Sequence, residues 1–127
     1  MASDILLTSW EIGLRARNVP NDAMTLDIIG VGPVGLWGIL SVVAMDKKVG
    51  KNDRCIFAVD VNADCLQVAK CMGATDCINN TNGNAVQQVM ALTNNKGDNF
   101  CVECIGLPVG WDLAQDMVAM GGQITNL

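Results

Sequence analysis

An uncharged stretch from Ile28 to Met45 constrains the fold of this chain more than any other part of the sequence. It is about as long as a short membrane-spanning helix. Three glycines and a proline fall in its first half, however, where a helix exposed to lipid would lose backbone hydrogen bonds. The stretch is better explained as a short strand, a glycine loop and a buried helix. We therefore expect no membrane segment, and no secretory signal in Met1 to Leu7, which lacks a basic region.

The remaining sequence alternates short apolar strands with helical patterns. The predicted strands are Thr25 to Ile29, Cys55 to Val59, Asp76 to Ile78, Phe100 to Ile105 and Gly122 to Leu127, and the predicted helices are Val34 to Met45, Ala63 to Met72, Ala85 to Thr93 and Gly110 to Met120. This alternation predicts an α/β domain, a doubly wound parallel sheet with helices on both faces. A length of 127 residues suits one such domain. The polar segment from Asp46 to Arg54 is expected to be a surface loop.

Charge and composition exclude several kinds of function. A formal net charge of −5 argues against a nucleic-acid-binding surface, which needs clustered Lys and Arg. The chain has no histidine and no tyrosine, so the side chains that most often transfer or relay protons near neutral pH are missing. Its six cysteines are scattered through predicted core elements, as in a protein with reduced thiols. We expect a cytoplasmic protein with few residues for chemistry of its own.

The glycine loop has the G-x-G-x-x-G spacing, in the sequence Gly30-Val31-Gly32-Pro33-Val34-Gly35. Such a triplet is weak evidence alone, but here it follows a predicted strand and opens a predicted helix. Gly30 would permit the tight turn, Gly32 would let the backbone approach a pyrophosphate, and Gly35 would let the helix pack close to the strand. The phosphates would then meet free N–H groups at the helix N-terminus. The loop predicts a dinucleotide-binding site.

An acidic residue, Asp60, ends the second predicted strand. In this position a carboxylate can accept hydrogen bonds from the adenosine ribose hydroxyls, and its charge repels a 2′-phosphate, which favours NAD over NADP. A methyltransferase that binds S-adenosylmethionine is an alternative, because its site also combines a glycine loop with an acidic strand end. Its loop usually runs G-x-G-x-G, whereas the third glycine here follows two residues.

Two features of the predicted strands raise questions of their own. Asp27 lies within the first strand, where a carboxylate is costly unless it is paired, so either the strand begins later or Asp27 meets a partner outside the chain. Cys101 and Cys104 fit C-x-x-C, but residues three apart on a strand point to opposite faces. We expect both to be core residues rather than a metal or redox pair.

Similarity to a known family extends over five segments of the sequence, which are Gly30 to Gly38, Ala58-Val59-Asp60-Val61-Asn62, Ala69-Lys70-Cys71-Met72-Gly73-Ala74-Thr75-Asp76, Glu103-Cys104-Ile105-Gly106 and Gly121-Gly122. With these segments in order, the sequence resembles the cofactor domain of the medium-chain, zinc-dependent alcohol dehydrogenases over nearly its whole length. Within the family, the run from Gly73 to Asn79 and the run from Val89 to Thr93 are most similar to the secondary-alcohol and polyol branch. The resemblance implies a Rossmann NAD(P)-binding domain that stops before the family's last strand.

The resemblance also implies roles for residues of this chain. Val34 would pack against the nicotinamide side of the cofactor, Ile105 and Gly106 would lie near its adenosine half, and Thr8 would lie beside the nicotinamide. The candidate cofactor-binding residues are thus Gly30, Gly32, Pro33, Val34, Gly35, Asp60, Ile105, Gly106 and Thr8. At the position of Cys65 many relatives carry a Lys or Arg, and that basic side chain helps to hold the adenosine ribose. Asp4 matches a zinc ligand of some relatives, and one carboxylate cannot hold a tetrahedral zinc, so we expect a metal there only in a longer parent.

The resemblance implies residues 1–20 as a junction from an absent catalytic domain and residues 21–127 as the dinucleotide-binding domain. The chain would hold NAD while hydride moves between an alcohol or carbonyl substrate and nicotinamide, with zinc bound elsewhere in the parent. Alone it would be inactive, and relatives form homo-oligomers through the sheet edge. A stand-alone, non-catalytic dinucleotide-binding module and the methyltransferase-like domain stay open as alternatives.

Overall fold

The computed structural model describes residues 25–48, 50 and 53–126. The elements follow in the order β1 (Thr25–Ile29), α1 (Pro33–Lys48), β2 (Cys55–Asp60), α2 (Ala63–Met72), β3 (Asp76–Asn79), α3 (Ala85–Leu92), β4 (Asp98–Glu103), α4 (Pro108–Met117) and β5 (Val118–Asn126). The predicted junction 1–20, with Asp4 and Thr8, lies outside the described residues. None of the described helices is long and apolar enough to cross a membrane.

The five strands form one parallel sheet in the order β3-β2-β1-β4-β5. The chain winds outward from β1 to β3, then returns to the other side of β1 for β4. The carboxyl ends of β1, β2 and β4 therefore meet at a switch point, where α/β sheets bind their ligands. Ile29, the last residue of β1, lies opposite Val59 on one side and Glu103 on the other. The predicted doubly wound α/β fold is confirmed.

Each face of the sheet carries its own hydrophobic cluster. On one face α1 and α2 cover Leu26, Ile28, Ile56, Ala58, Phe100 and Val102, with Ile39, Val42, Leu66 and Ala69 as the buried helical residues. On the other face α3 and α4 cover Ile29, Phe57, Val59, Ile78 and Cys101, with Ala85, Val89, Ala114 and Met117 from the helices. Strand residues thus alternate between two apolar layers, which is why these strands contain so few polar residues.

Local sequence determines both ends of α2. The Asn62 side chain accepts hydrogen bonds from the Asp64 and Cys65 N–H groups, as a helix cap does, and Gly73 follows the last turn with a φ of +124°. The end of α4 was predicted wrongly. The sequence pattern extended this helix to Met120, whereas in the structure it ends at Met117. Val118 takes up an extended conformation and pairs with Asp98 of β4, so pairing with the sheet overrides the helical spacing of the sequence there.

The expected surface loop from Asp46 to Arg54 was partly wrong. Asp46 lies within α1, and both Asp46 and Arg54 are buried. The Arg54 Nε donates to Asp46 Oδ2 at 2.6 Å, and the Arg54 Nη2 donates to Asp46 Oδ1 at 3.0 Å. A two-point contact of this kind satisfies two charges that would otherwise be costly to bury. The sequence shows the charges but not that they face each other.

Asp27 occupies the centre of β1, which begins at Thr25 as predicted. A later strand start therefore does not explain this residue. Its side chain is fully buried, and burial, followed by the charge of Asp98, raises the pKa of Asp27 well above its usual value. Burial also raises the pKa of Asp98. Two carboxyls thus share a site inside the sheet.

Candidate cofactor-binding site

Gly30 leaves β1 in a conformation that other residues rarely adopt. Its φ is +94°, and its N–H donates to the Val59 carbonyl oxygen at 2.8 Å, which holds the start of the loop against β2. A Cβ atom at this position would lie 2.8 Å from Ile105 Cγ1. Backbone conformation and close packing both require glycine here.

Gly35 and Gly32 serve different purposes in the same loop. A Cβ atom on Gly35 would overlap the Gly30 carbonyl oxygen, so glycine lets the first turn of α1 approach the end of β1. A Cβ atom on Gly32 would meet nothing within 4 Å, and Gly32 does not have a positive φ. The protein itself does not need glycine at position 32. The open space beside it is what a ligand pressed against the backbone would need.

Asp60 connects the glycine loop to the end of β2. Its Oδ2 accepts from the Val31 N–H at 2.9 Å, and its Oδ1 accepts from the N–H groups of Val61 at 2.7 Å and Asn62 at 3.0 Å. A carboxylate offers about four lone-pair sites. Three are used by the backbone, so about one, on Oδ2, stays available to a ligand hydroxyl.

A cavity of about 320 Å³ opens at the carboxyl ends of β1, β2 and β4. It is lined by Ile29, Gly30, Gly32, Val59, Asp60, Val61, Asn80, Cys104, Ile105 and Leu113. The lining is mostly apolar, with the Asp60 carboxylate and the Asn80 amide as its polar side chains. Such a pocket, with a few polar groups at a switch point, suits a nucleoside more than an ion.

The structure brings together four of the predicted cofactor residues at this cavity, namely Gly30, Gly32, Asp60 and Ile105. The three at the start of α1, Pro33, Val34 and Gly35, do not line it. Pro33 is exposed and Val34 is half-buried, so both sit at the surface end of the helix. Gly106 is exposed and lies just beyond the lining, with a φ of +79°.

Glu103 supports the cavity and was not among the predicted site residues. Its buried Oε1 accepts from the Ile105 N–H at 2.6 Å and from the Gly106 N–H at 2.7 Å. It therefore fixes the turn that carries Ile105 over Gly30. The sequence did not mark Glu103 as a strand-end residue, because the strand was predicted to run from Phe100 to Ile105, whereas β4 ends at Glu103.

Asn80 supports the neighbouring wall and was also missed. Its N–H donates to the Asp60 carbonyl oxygen at 2.9 Å, and its Oδ1 accepts from the Ala85 N–H at 3.0 Å. Asn80 thereby ties the start of α3 to the end of β2. In the sequence it looks like an ordinary turn residue within an Asn-rich segment.

The two cysteines of the C-x-x-C sequence face opposite sides of the sheet, as predicted. Cys101 lies in the cluster beneath α3 and α4, whereas Cys104 packs against the cluster beneath α1 and α2. Burial, followed by the charge of Glu103, raises the pKa of Cys104 to about 12. In the part of the chain that the structure describes, no group of three metal-ligating side chains lines the cavity.

Comparison with known proteins gives consistent matches. A family model described as zinc-binding dehydrogenase matches residues 33–127. The NADP-dependent isopropanol dehydrogenase of Clostridium beijerinckii is 39% identical over 127 residues, which cover 100% of this chain and 34% of that protein. The sorbitol dehydrogenase of Bacillus subtilis is 31% identical over 121 residues, 94% of this chain and 33% of that protein. These are a secondary-alcohol and a polyol dehydrogenase, the branch that the sequence resembles.

Solved structures agree with these matches. The apo form of zinc dependent alcohol dehydrogenase 2 from Streptococcus pneumonia superimposes with a TM-score of 0.81 and 28% identity, over 96% of this chain and 34% of that one. Alcohol dehydrogenase TADH from Thermus sp. ATN1 gives a TM-score of 0.81 at 29% identity. The chain thus spans about a third of the length of these relatives.

Proposed function

The chain belongs to the zinc-binding dehydrogenase family, and on that basis we propose that it is an NAD-binding domain that holds the cofactor for hydride transfer between an alcohol and nicotinamide. Residues 21–127 would form this domain, and residues 1–20 would join it to a catalytic domain. The substrate would be a small alcohol or carbonyl compound. The family match favours neither a methyltransferase nor a non-catalytic module.

The observation that carries the proposal is the position of Asp60 beside the glycine loop. Its carboxylate accepts the Val31 N–H and keeps about one lone pair for a ribose hydroxyl, while Gly32 leaves open space next to it. The residues present therefore fit a nucleotide with a sugar hydroxyl and a phosphate group. Gly30, Gly32 and Gly35 would cradle the pyrophosphate at the start of α1, where free N–H groups and the helix dipole favour negative charge.

Binding and orientation are what this chain's own residues would supply. When bound, nicotinamide accepts or donates the hydride. Ile105, supported by the Glu103 bonds to the following turn, would hold the apolar wall of the cavity against the cofactor. Val34, Gly106 and Thr8 would make further contacts. No described residue near the cavity is suited to moving a proton at neutral pH, so we propose that the chain alone does not turn over alcohols.

We propose NAD rather than NADP, although two relatives are named NADP-dependent. The Asp60 carboxylate lies where the adenosine ribose would bind, and its charge would repel a 2′-phosphate. No Lys or Arg lines the cavity among the described residues, so nothing there would offset that repulsion. We also propose a cytoplasmic location, in keeping with the free thiols of all six cysteines, and a homo-oligomeric state. The ligands of the family's catalytic zinc would lie outside the described residues, with Asp4 as a candidate.

The test is a titration of the chain with NADH, followed by the change in tryptophan and NADH fluorescence. Gly32→Val places a branched side chain in the space proposed for the pyrophosphate, where a Cβ atom meets nothing within 4 Å. We expect NADH affinity to fall at least about tenfold, and the free energy of unfolding to change by less than about 0.5 kcal/mol. Wild type should bind NADH more tightly than NADPH.

The matched control is Ala91→Val, a β-branched substitution on the exposed side of α3, away from the cavity. It should leave NADH affinity at the wild-type value. Equal affinity of Gly32→Val and wild type would refute the cofactor assignment. A wild-type preference for NADPH would refute only the choice of NAD. Turnover of secondary alcohols by the chain with NAD and zinc would refute the proposal that it is inactive alone.

A further inference from the structure

Three side chains with metal-ligating atoms converge within the sheet, on the face covered by α3 and α4. They are Asp27 from β1 and Asp98 and Cys101 from β4, and their ligand atoms all lie within 4.8 Å of one another. Asp27 and Cys101 are directly opposed in the register of the two strands. Asp98 lies where the pairing of β4 with β5 shifts register. All three residues are fully buried.

The carboxylate oxygens of this cluster are the feature that needs an explanation. The carboxyl groups of Asp27 and Asp98 lie against each other, and none of their four oxygens accepts a well-oriented hydrogen bond from an N–H or O–H group of the described residues. Buried polar groups in native proteins are almost always hydrogen-bonded, and buried charges are paired or bind metals. Apolar side chains such as Met117 fill the same face of the sheet. Two unpartnered carboxyls side by side in such surroundings indicate that something neutralises them.

We propose that Asp27, Asp98 and Cys101 together bind one divalent transition-metal cation, such as Zn²⁺. A thiolate with two carboxylates suits a borderline cation such as Zn²⁺ or Co²⁺, whereas Mg²⁺ and Ca²⁺ prefer oxygen ligands alone. The cation would offset most of the negative charge of the three ligands. Tetrahedral zinc requires ligand atoms about 3.3–3.8 Å apart, so small rotations of these side chains would close the site.

An open cavity comes close to Asp98 at the amino end of the sheet, although none of the three proposed ligands lines it. The two neighbours of Asp98 in sequence, Gly97 and Asn99, line a cavity of about 780 Å³ together with Thr25 and Thr93. This cavity is at the opposite end of the strands from the Asp60 cavity. Water from it would complete the fourth position. The bound ion would join β1 to β4, the two central strands whose carboxyl ends carry Gly30 and Ile105.

The experiment uses the whole chain, stripped of metal with a chelator and then titrated with Co²⁺ and, separately, with Zn²⁺. We expect one Co²⁺ per chain, with a near-ultraviolet thiolate-to-cobalt charge-transfer band, and a melting temperature that rises with Zn²⁺ concentration. Cys101→Ser should abolish the band. The isosteric variants Asp27→Asn and Asp98→Asn should each weaken Zn²⁺ binding at least about tenfold.

The control is Cys71→Ser, which removes an exposed thiol of α2 and should leave the cobalt band and stoichiometry unchanged. No saturable binding, or a band that persists in Cys101→Ser, would overturn the proposal. An unchanged Zn²⁺ affinity in both Asp27→Asn and Asp98→Asn would also overturn the proposal. This measurement tests the site even if Cys101→Ser does not fold. In those cases the two carboxyls share a proton instead. NADH affinity is read out separately and tests only the proposed function.

Discussion

Replacing Asp60 with Asn tests whether one carboxylate sets cofactor choice. The amide oxygen can keep the bonds from the Val61 and Asn62 N–H groups, but the amide NH₂ then faces the Val31 N–H and cannot accept from it. A ribose hydroxyl loses a charged acceptor, which is worth about 1.5–3 kcal/mol, or about 10- to 150-fold in NADH affinity. The charge that repels a 2′-phosphate is removed as well.

The ratio of NADH to NADPH affinity is the informative quantity. Loss of the hydrogen bond from the Val31 N–H loosens the loop and weakens the binding of both cofactors equally, so this effect cancels in the ratio. A single charge facing a doubly charged phosphate at about 5 Å in water is unfavourable by about 1.7 kcal/mol, so NADPH regains up to that amount. Together the two effects should lower the preference of Asp60→Asn for NADH by at least about 10-fold, and by up to about 3,000-fold if the full repulsion is relieved.

The assay is a titration with each cofactor, by fluorescence for NADH and calorimetry for NADPH, at one low salt concentration. Asp64→Asn is the matched control, because it removes the same charge from an exposed position in the first turn of α2. It should leave the ratio unchanged. The reasoning fails if Asp60→Asn keeps the wild-type ratio, or if Asp64→Asn changes it as much.

Three further predictions concern stability and reactivity. Gly35→Ala should lower the free energy of unfolding by about 1–3 kcal/mol, because the added Cβ atom overlaps the Gly30 carbonyl oxygen. Gly32→Ala should leave the free energy of unfolding unchanged, because a Cβ atom there meets nothing within 4 Å. Equal values for the two variants in urea denaturation would contradict this. Asp46→Ala removes two hydrogen bonds to the buried Arg54 guanidinium. We expect urea denaturation to show a free energy of unfolding that is lower by about 3 kcal/mol. A decrease under about 1 kcal/mol would count against a buried ion pair. Burial raises the pKa of Cys104 to about 12, so iodoacetamide at pH 8 should label the exposed thiols and leave Cys104 unmodified in the folded chain. Rapid labelling of Cys104, detected by mass spectrometry, would show that this thiol is not buried.

The sequence by itself determined the features that depend on neighbours along the chain. Gly30 needs a positive φ, Asn62 caps α2 and Gly73 ends it, and each of these requirements is local. The alternation of strands and helices was likewise sufficient to predict a parallel, doubly wound sheet. The glycine spacing and Asp60 together predict a ligand site, because both follow strands whose carboxyl ends meet at one edge of the sheet.

The tertiary structure alone decided which distant groups face each other. No spacing along the chain shows that Glu103 holds the turn above Gly30, or that the helix α4 gives way to a strand at Val118, because both depend on pairing across the sheet. Asp27 was an anomaly in the sequence, and the sheet register brought it beside Asp98 and Cys101. Local conformation is encoded by residues a few positions apart, whereas burial and charge pairing arise only when the strands are assembled.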